Sequence, residues 1–382
     1  MNPHQLPSSA STARIFIKAI ILLFILNLVC LGLNFKPIAA LTQFNTWWLV
    51  GHGRSRLVSK SDFQNGQLPI DSLLATHEIA YNQKKPDEYR VVVLGDSTAW
   101  GQGLLDEETF SGQLTAANLV ASGKHIVAYN LGYPSADIIA MMITLDAAMK
   151  YQPDLIIWFV TAYSFNNDAT GVTTNEFASL NHARLEQLAE TYHMQSWLDS
   201  RMPPEPAWRK YFAFYDQGTV AVWLGSLFYP FVPTDVGNTG RRVATEPVTA
   251  KSTDPKDVPP GFYPMPNESW NFVTIGQELA TRSNAKLLLI NEPTLVLRNN
   301  PNAATTYSNI YARAYYNYYR EAFSDYCTTH RIWCVDLWDV VPPADFMDSE
   351  RHFDGNGWSL TVNRVIDTLR TRLVIDANSD AF

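Results

Sequence analysis

Gly95-Asp96-Ser97-Thr98-Ala99-Trp100-Gly101 follows directly on the β-branched run at 89–94. A buried strand that runs into such a turn leaves Ser97 at the strand's C-terminal end. A serine hydroxyl is a weak nucleophile. It needs a base to take its proton and donors to hold the oxyanion that forms. The base on offer is His352, in Arg351-His352-Phe353-Asp354-Gly355-Asn356-Gly357-Trp358, a loop with two glycines ahead of a closing helix. Of the eight histidines it alone combines that position with carboxylates a few residues upstream. The blander readings are a helix N-cap or turn serine at Ser97 and a surface-loop histidine at His352. Glu292, in Asn291-Glu292-Pro293, ends another apolar run. It is either a substrate contact or a polar strand end before a proline turn.

These residues work together only if the elements between them bring them to one place. The apolar runs at 89–94, 125–130, 154–160, 286–291 and 332–336 read as buried strands. Helical spacing lies between them, at 107–120, 134–150, 271–282, 306–329 and 357–374, with a shorter helical pattern at 71–80. Strands alternating with helices predict a parallel sheet covered on both faces. Chemistry in such sheets sits beyond the C-terminal strand ends, where Ser97, Glu292 and the His352 loop all fall. Residues 37–88 read as a connecting segment, with Gly51 to Arg56 loop-like. The alternation breaks over 166–266. There, 166–205 is polar and partly helical, 213–232 is aromatic and apolar, and 233–266 is a long loop rich in Pro, Gly, Thr and Asp. The 213–232 stretch holds Asp216 and Pro230, which fits a buried helix of an insertion, or one that dips into a bilayer surface or lids a site, better than a second span.

The blocks Gly95-Asp96-Ser97-Thr98-Ala99-Trp100-Gly101, Asn130-Leu131-Gly132 and Asp348-Ser349-Glu350-Arg351-His352 resemble those of the SGNH (GDSL-type) hydrolases, nearest to membrane-anchored bacterial members. The resemblance covers roughly 89–375, interrupted by the insertion. It implies a three-layer α/β/α doubly wound parallel sheet of flavodoxin-like form, with about five strands. By the resemblance, Ser97 is the nucleophile, His352 the base and Asp348 the orienting acid. The amides of Gly132 and Ser97 would form the oxyanion hole. Two departures stand out. The histidine block is Asp-x-x-x-His rather than Asp-x-x-His, so Asp345 and Glu350 are rival partners for His352. The third block, Gly-x-Asn-Asp after the third strand, is missing in strict form: Thr161 stands at the glycine and Tyr163 at the asparagine. Asn166 or Asn167 would then supply the third oxyanion donor, or Tyr163 its hydroxyl. Losing such a donor typically costs ~10²–10³ in rate.

The rest of the chain bounds the setting. It has 382 residues, of which 46% are hydrophobic and 17% charged. That excludes a disordered or low-complexity chain. With 29 Lys+Arg against 37 Asp+Glu the net charge is −8, which argues against nucleic acid as a partner. Residues 15–35 form an apolar stretch of about 21 residues, ~30 Å as a helix, enough to span a bilayer. Arg14 and Lys18 favour a cytoplasmic N-terminus, and Trp47 and Trp48 suit the interface. The alternative is a cleaved signal peptide near Pro37-Ile38-Ala39-Ala40. The division expected is 1–36 tail and transmembrane anchor, 37–88 connector, and 89–375 hydrolase-like domain. Outside the cytoplasm Cys327 and Cys334 could close a disulfide, or else they pack reduced. Asp354-Gly355-Asn356-Gly357 lacks the other ligands of a calcium loop, so no metal or other cofactor is expected. The tyrosines at 307, 311, 315, 316, 318 and 319 read as helix packing rather than a sugar-binding groove.

Three functions follow. The first is an anchored extracytoplasmic serine esterase acting through an acyl-serine on an ester- or acyl-bearing substrate. The second is an O-acyltransferase or deacetylase of cell-envelope polysaccharide. The third is a non-catalytic envelope scaffold with a degenerate site.

Overall fold

The computed structural model describes residues 9–32, 54–57, 69–165, 176–202, 267–298, 306–307, 311–348, 351–373 and 375–377. The strands are β1 (Glu88–Leu94), β2 (Leu119–Ala121), β3 (Lys124–Asn130), β4 (Leu155–Val160), β5 (Lys286–Asn291), β6 (Trp333–Asp336) and β7 (Ile375–Ala377). They form one sheet in the order β6-β5-β4-β1-β3-β2-β7. β6, β5, β4, β1 and β3 run parallel, and β2 and β7 are antiparallel additions at one edge. The five parallel strands have the order of a flavodoxin-like doubly wound sheet, with its switch point beside β1.

The expectation of a wholly parallel sheet of about five strands is corrected at that edge, where two antiparallel strands are added. The helical spacing at 107–120 becomes a 3₁₀ turn (Asp106–Glu108) and a short helix, Phe110–Ala116, before the chain turns back through β2. Ser122 and Gly123 both have positive φ, 52° and 77°, the geometry of a two-residue hairpin joining β2 to β3. That dipeptide was the available signal for the extra strand.

The helices are α1 (Ser9–Gly32), α2 (Ile70–Thr76), α3 (Ser97–Trp100), α4 (Phe110–Ala116), α5 (Ile138–Ala148), α6 (Glu176–Leu180), α7 (His182–Thr191), α8 (Gln195–Arg201), α9 (Asn267–Arg282), α10 (Arg313–His330) and α11 (Gly355–Arg372). Three starts differ from expectation by four residues or more, α9 beginning at Asn267 rather than at 271. α5 begins after Asp137, whose side chain caps Ala140 N, so Pro134 lies in the preceding loop. α10 begins at Arg313, and Thr306 instead pairs with Ala312 in an isolated bridge.

Alternate residues of the central strands feed two separate cores, as a sheet buried on both faces requires. Val92, Leu94, Ile156, Trp158 and Leu289 pack with α2, α5, α9, α10 and the described part of the insertion. Val91, Val93, Ile157, Phe159 and Leu288 pack with α4 and α11. The layering is therefore helix, sheet, helix. Residues 69–80 are part of the first core, through Ile70, Leu73, Leu74 and Ile79. The tyrosines of α10 are core as well. Tyr316 and Tyr319 are fully buried and donate their hydroxyls to Asn291 Oδ1 and the Val160 carbonyl, at the ends of β5 and β4.

Helix α1 covers residues 15–32 of the apolar stretch expected to span, and 33–35 lie outside the described residues. Its described large apolar side chains, from Ile15 to Ile25, are each more than half exposed. Among the described residues no helix is long and apolar enough to cross a membrane. Cys327 and Cys334 form a disulfide that ties the end of α10 to β6. Residues 213–232, Trp47 and Trp48 lie outside the described residues.

Candidate active site

The parallel strands end on the same side, at Leu94, Asn130, Val160, Asn291 and Asp336, with Val93 paired to Asn130, Leu94 to Trp158, and Asn291 to both Val160 and Asp336. The loops that follow β1, β3, β4 and β5 therefore open side by side. Ser97 is the first residue of α3, two residues beyond Gly95. A Cβ on Gly95 would lie 2.4 Å from the Ala99 Cβ and 3.1 Å from the Phe159 Cβ, so only glycine lets the turn fold this tightly onto β4. Asp96 caps α3, its Oδ1 accepting from Thr98 N at 2.8 Å.

Ser97 Oγ lies 2.8 Å from His352 Nε2. His352 Nδ1 faces Asp348 Oδ2 in a short contact. A carboxylate against Nδ1 places the ring proton there, which leaves Nε2 free to accept from the serine hydroxyl. The three sequence-derived residues thus lie in one line of hydrogen bonds. The loop that carries two of them is closed at its base. Phe346 bridges Phe353, Met347 N donates to the His352 carbonyl, and Asp354 N donates to the Asp345 carbonyl. The rings of Phe346, Phe353 and Trp358 are buried together beneath it.

That closure explains the extra residue in Asp-x-x-x-His. Asp348 Oδ1 accepts the amides of Arg351 at 2.9 Å and His352 at 3.1 Å, which draws the loop into a turn and leaves Oδ2 for the ring. Of the rival carboxylates, Asp345 belongs to the base of the loop, and Glu350 lies outside the described residues.

Gly132 sits against α3. A Cβ there would lie 2.6 Å from Trp100 N, so the close approach of the two loops depends on this glycine. Its amide donates to Asn130 Oδ1 at 3.0 Å, while Asn130 Nδ2 donates to the carbonyls of Ala99 at 2.9 Å and Trp100 at 3.3 Å. Asn130 therefore fastens the Gly132 loop to the nucleophile's helix, a role the motif did not reveal. Thr161 and Tyr163 stand where the third block would be. Thr161 Oγ1 accepts from Tyr163 N, and the Tyr163 ring is 47% exposed with the Arg351 guanidinium 5.1 Å from its centroid. Asn166 and Asn167 lie outside the described residues.

Glu292 is fully buried behind the nucleophile's turn rather than facing substrate. Burial, with the negative charge of Asp96 adding to it, pushes its carboxyl well above the ordinary value, against the opposing pull of Arg351 and Thr98. Its burial therefore favours the protonated form.

Sequence reasoning also missed a strap. Residues 54–57 run beside β3, with Arg56 bridging Asn130 and Arg54 bridging His77. Arg56 pairs with Asp106 at 2.7 Å, donates to the Gly101 carbonyl and lies over the Trp100 ring, while Trp100 Nε1 donates to the Leu57 carbonyl. His77, for which the sequence offered no partner, is buried. Its Nε2 is 3.0 Å from both the Ser55 and Asn130 carbonyls, and its Nδ1 accepts from Ile79 N. No short motif marks this segment, because its partners lie far away in the chain.

Fold and site together define a class: a doubly wound α/β protein with a serine–histidine–aspartate relay at the C-terminal edge of its sheet. No protein-family model matches the chain, and no curated relative does. Among solved structures it is similar to a GDSL-like lipase from Bacteroides thetaiotaomicron, at 10% identity over 78% of this chain and 95% of that one, TM-score 0.38. It is similar also to the psychrotrophic esterase EstA from Pseudoalteromonas sp., at 12% identity over 74% of this chain and 98% of that one, TM-score 0.38. A catalytic mutant of an acetylxylan esterase from Geobacillus stearothermophilus matches at 8% identity over 74% and 94%, TM-score 0.36. At such identities and scores, the site's own geometry has to carry the functional reading.

Proposed function

We propose that this protein is a membrane-anchored, extracytoplasmic serine esterase of the SGNH type. The observation that carries the reading is the unbroken line from Ser97 Oγ through the His352 ring to Asp348. Ser97 attacks the acyl carbon as its proton passes to His352 Nε2. Asp348 holds the ring and stabilises the imidazolium. The oxyanion is received by the Ser97 amide at the start of α3; the Gly132 amide, which donates to Asn130 Oδ1 here, joins it only by exchanging that bond for the oxyanion. The alcohol leaves with the proton from His352. Water, activated by the same ring, then releases the acid and restores Ser97.

The anchor and the compartment are supported by two features. α1, although not long and apolar enough over its described residues to cross a membrane, exposes an apolar surface that water does not favour. The Cys327–Cys334 disulfide suits an oxidising compartment.

A fluorophosphonate probe tests the reading directly. The wild type is expected to be labelled on Ser97, and Ser97→Ala and His352→Ala are expected to lose the label. A folded wild type that stays unlabelled overturns it and favours the scaffold reading, although a scaffold has no need of an assembled relay. A second acceptor is supported by Tyr163, whose exposed ring suits a sugar face. On this reading the acyl group moves to or from a cell-envelope polysaccharide. The discriminating measurement is whether a glycan hydroxyl outcompetes water for the acyl group.

A further inference from the structure

Arg351 is the residue beside the base, and nothing in the three motif blocks gives it a role. Its amide donates to Asp348 Oδ1 at 2.9 Å. Its Nη1 donates to Asp96 Oδ2 at 2.9 Å across 255 positions of sequence. Its guanidinium lies over the Tyr163 ring. The ion pair is shielded, with Asp96 only 4% exposed and Arg351 15%. Asp96 is also the residue that caps α3, whose first residue is Ser97.

We propose that Arg351 is a positioning residue, clamping the His352 loop onto the nucleophile's turn so that Ser97 and His352 stay within hydrogen-bond reach. The inference rests on the hydrolase reading above and deepens it. The logic is one of lever arms. Ser97 and His352 belong to different layers of chain, β1–α3 and the loop before α11, and the link between their catalytic atoms is a single hydrogen bond. The Arg351–Asp96 pair adds a second, charge-assisted link within one residue of each catalytic side chain. Asp96 holds α3 with one oxygen and Arg351 with the other, so movement of the loop is transmitted to the turn. Tyr163 confines the guanidinium from the side, at the place where the family's third block is missing. Burial of Glu292 disfavours its charged form, which weakens its competition with Asp96 for the guanidinium.

The test compares Arg351→Met and Arg351→Lys with the wild type. Misplacing reacting groups by about 1 Å can cost roughly 10²-fold. Arg351→Met is therefore expected to slow fluorophosphonate labelling and kcat on a small ester by about that factor, with KM unchanged, because the clamp acts on the positions of Ser97 and His352 rather than on substrate binding. Arg351→Lys keeps a charge for Asp96 and is expected to recover most of the rate. The low-field imidazole proton of His352, followed by NMR, is expected to vanish in Arg351→Met and persist in Arg351→Lys.

A wild-type labelling rate in Arg351→Met overturns the clamp, as does a loss confined to KM. If Arg351→Met does not fold, Arg351→Lys and Tyr163→Leu decide: full wild-type kcat in Tyr163→Leu together with no recovery in a folded Arg351→Lys overturns it. The NMR arm separates the two readings. If the wild type is folded but unreactive, the hydrolase reading fails. The clamp then stands or falls on whether the His352 proton signal depends on Arg351.

Discussion

At the scale of single residues, the relay depends on a carboxylate that does three things at once. Asp348 accepts the His352 ring proton and two backbone amides. An asparagine there can shape the turn but cannot hold the imidazolium or fix its tautomer. Asp348→Asn is expected to lower kcat by on the order of 10³–10⁴-fold, while Tm moves by only a few degrees. A rate-based assay and a thermal melt on the same sample check both halves. Glu292 makes the opposite prediction. Its carboxyl titrates well above 4.5 in the folded protein, so folding binds a proton. The stability it contributes is complete below 4.5 and declines as pH rises towards its folded value. Glu292→Gln mimics the neutral acid. It is expected to fold normally, keep its labelling rate and flatten that decline, read by urea unfolding from pH 5 to pH 8.

At the scale of elements, the strap at 54–57 and the corner formed by α3 and the end of β3 stand or fall together. Their common fastener is His77, whose single Nε2 proton serves two carbonyls and whose Nδ1 must stay unprotonated to accept from Ile79 N. Burial lowers its pKa from 6.5 to about 4. A histidine whose folded pKa is depressed contributes stability that is complete above 6.5 and lost as pH falls towards 4. The cost of the full shift is on the order of 3 kcal/mol. Glu78, next in the chain, runs the other way. Burial, with the charge of Asp106, raises it to about 7, so its contribution is complete below 4.5 and lost as pH rises through 7. Because the two slopes oppose each other between pH 7 and pH 5, the His77 loss is read as the difference between the wild type and His77→Gln in urea unfolding at pH 7, 6 and 5. A slope that survives unchanged in His77→Gln would place it elsewhere.

At the scale of the whole molecule, the layers explain why the site can be small and still be held. The nucleophile, its base and the Gly132 loop come from three separate connections, and one sheet edge brings them together. The anchor proposed for α1 is separable from that architecture, since the strap and the first core begin well after it. Removing residues 1–36 is expected to move the protein from the membrane fraction to the soluble one while fluorophosphonate labelling stays within about two-fold, a change too small to reflect a lost catalytic contact. Soluble full-length protein, or labelling lost with the deletion, would count against a simple tether.

Much of this was legible in the chain itself. The five parallel strands, the turn that exposes Ser97 and the loop that offers His352 all follow from short-range signals: β-branched runs, helical spacing, and glycines where backbones crowd. Those signals act over a few residues, and burial on both faces of a sheet writes them plainly. They could not say which carboxylate turns towards His352, because Asp345, Asp348 and Glu350 all lie within a few residues of it. The closure of the loop between Phe346 and Phe353 selected Asp348. Nor could they join Arg351 to Asp96, or fold the strap at 54–57 against Asn130. Glu292 read as a polar strand end, with a substrate contact as the alternative, until packing enclosed it. Such pairings depend on how the layers stack, and stacking is decided by the fit of the two cores as a whole rather than by any local run of residues.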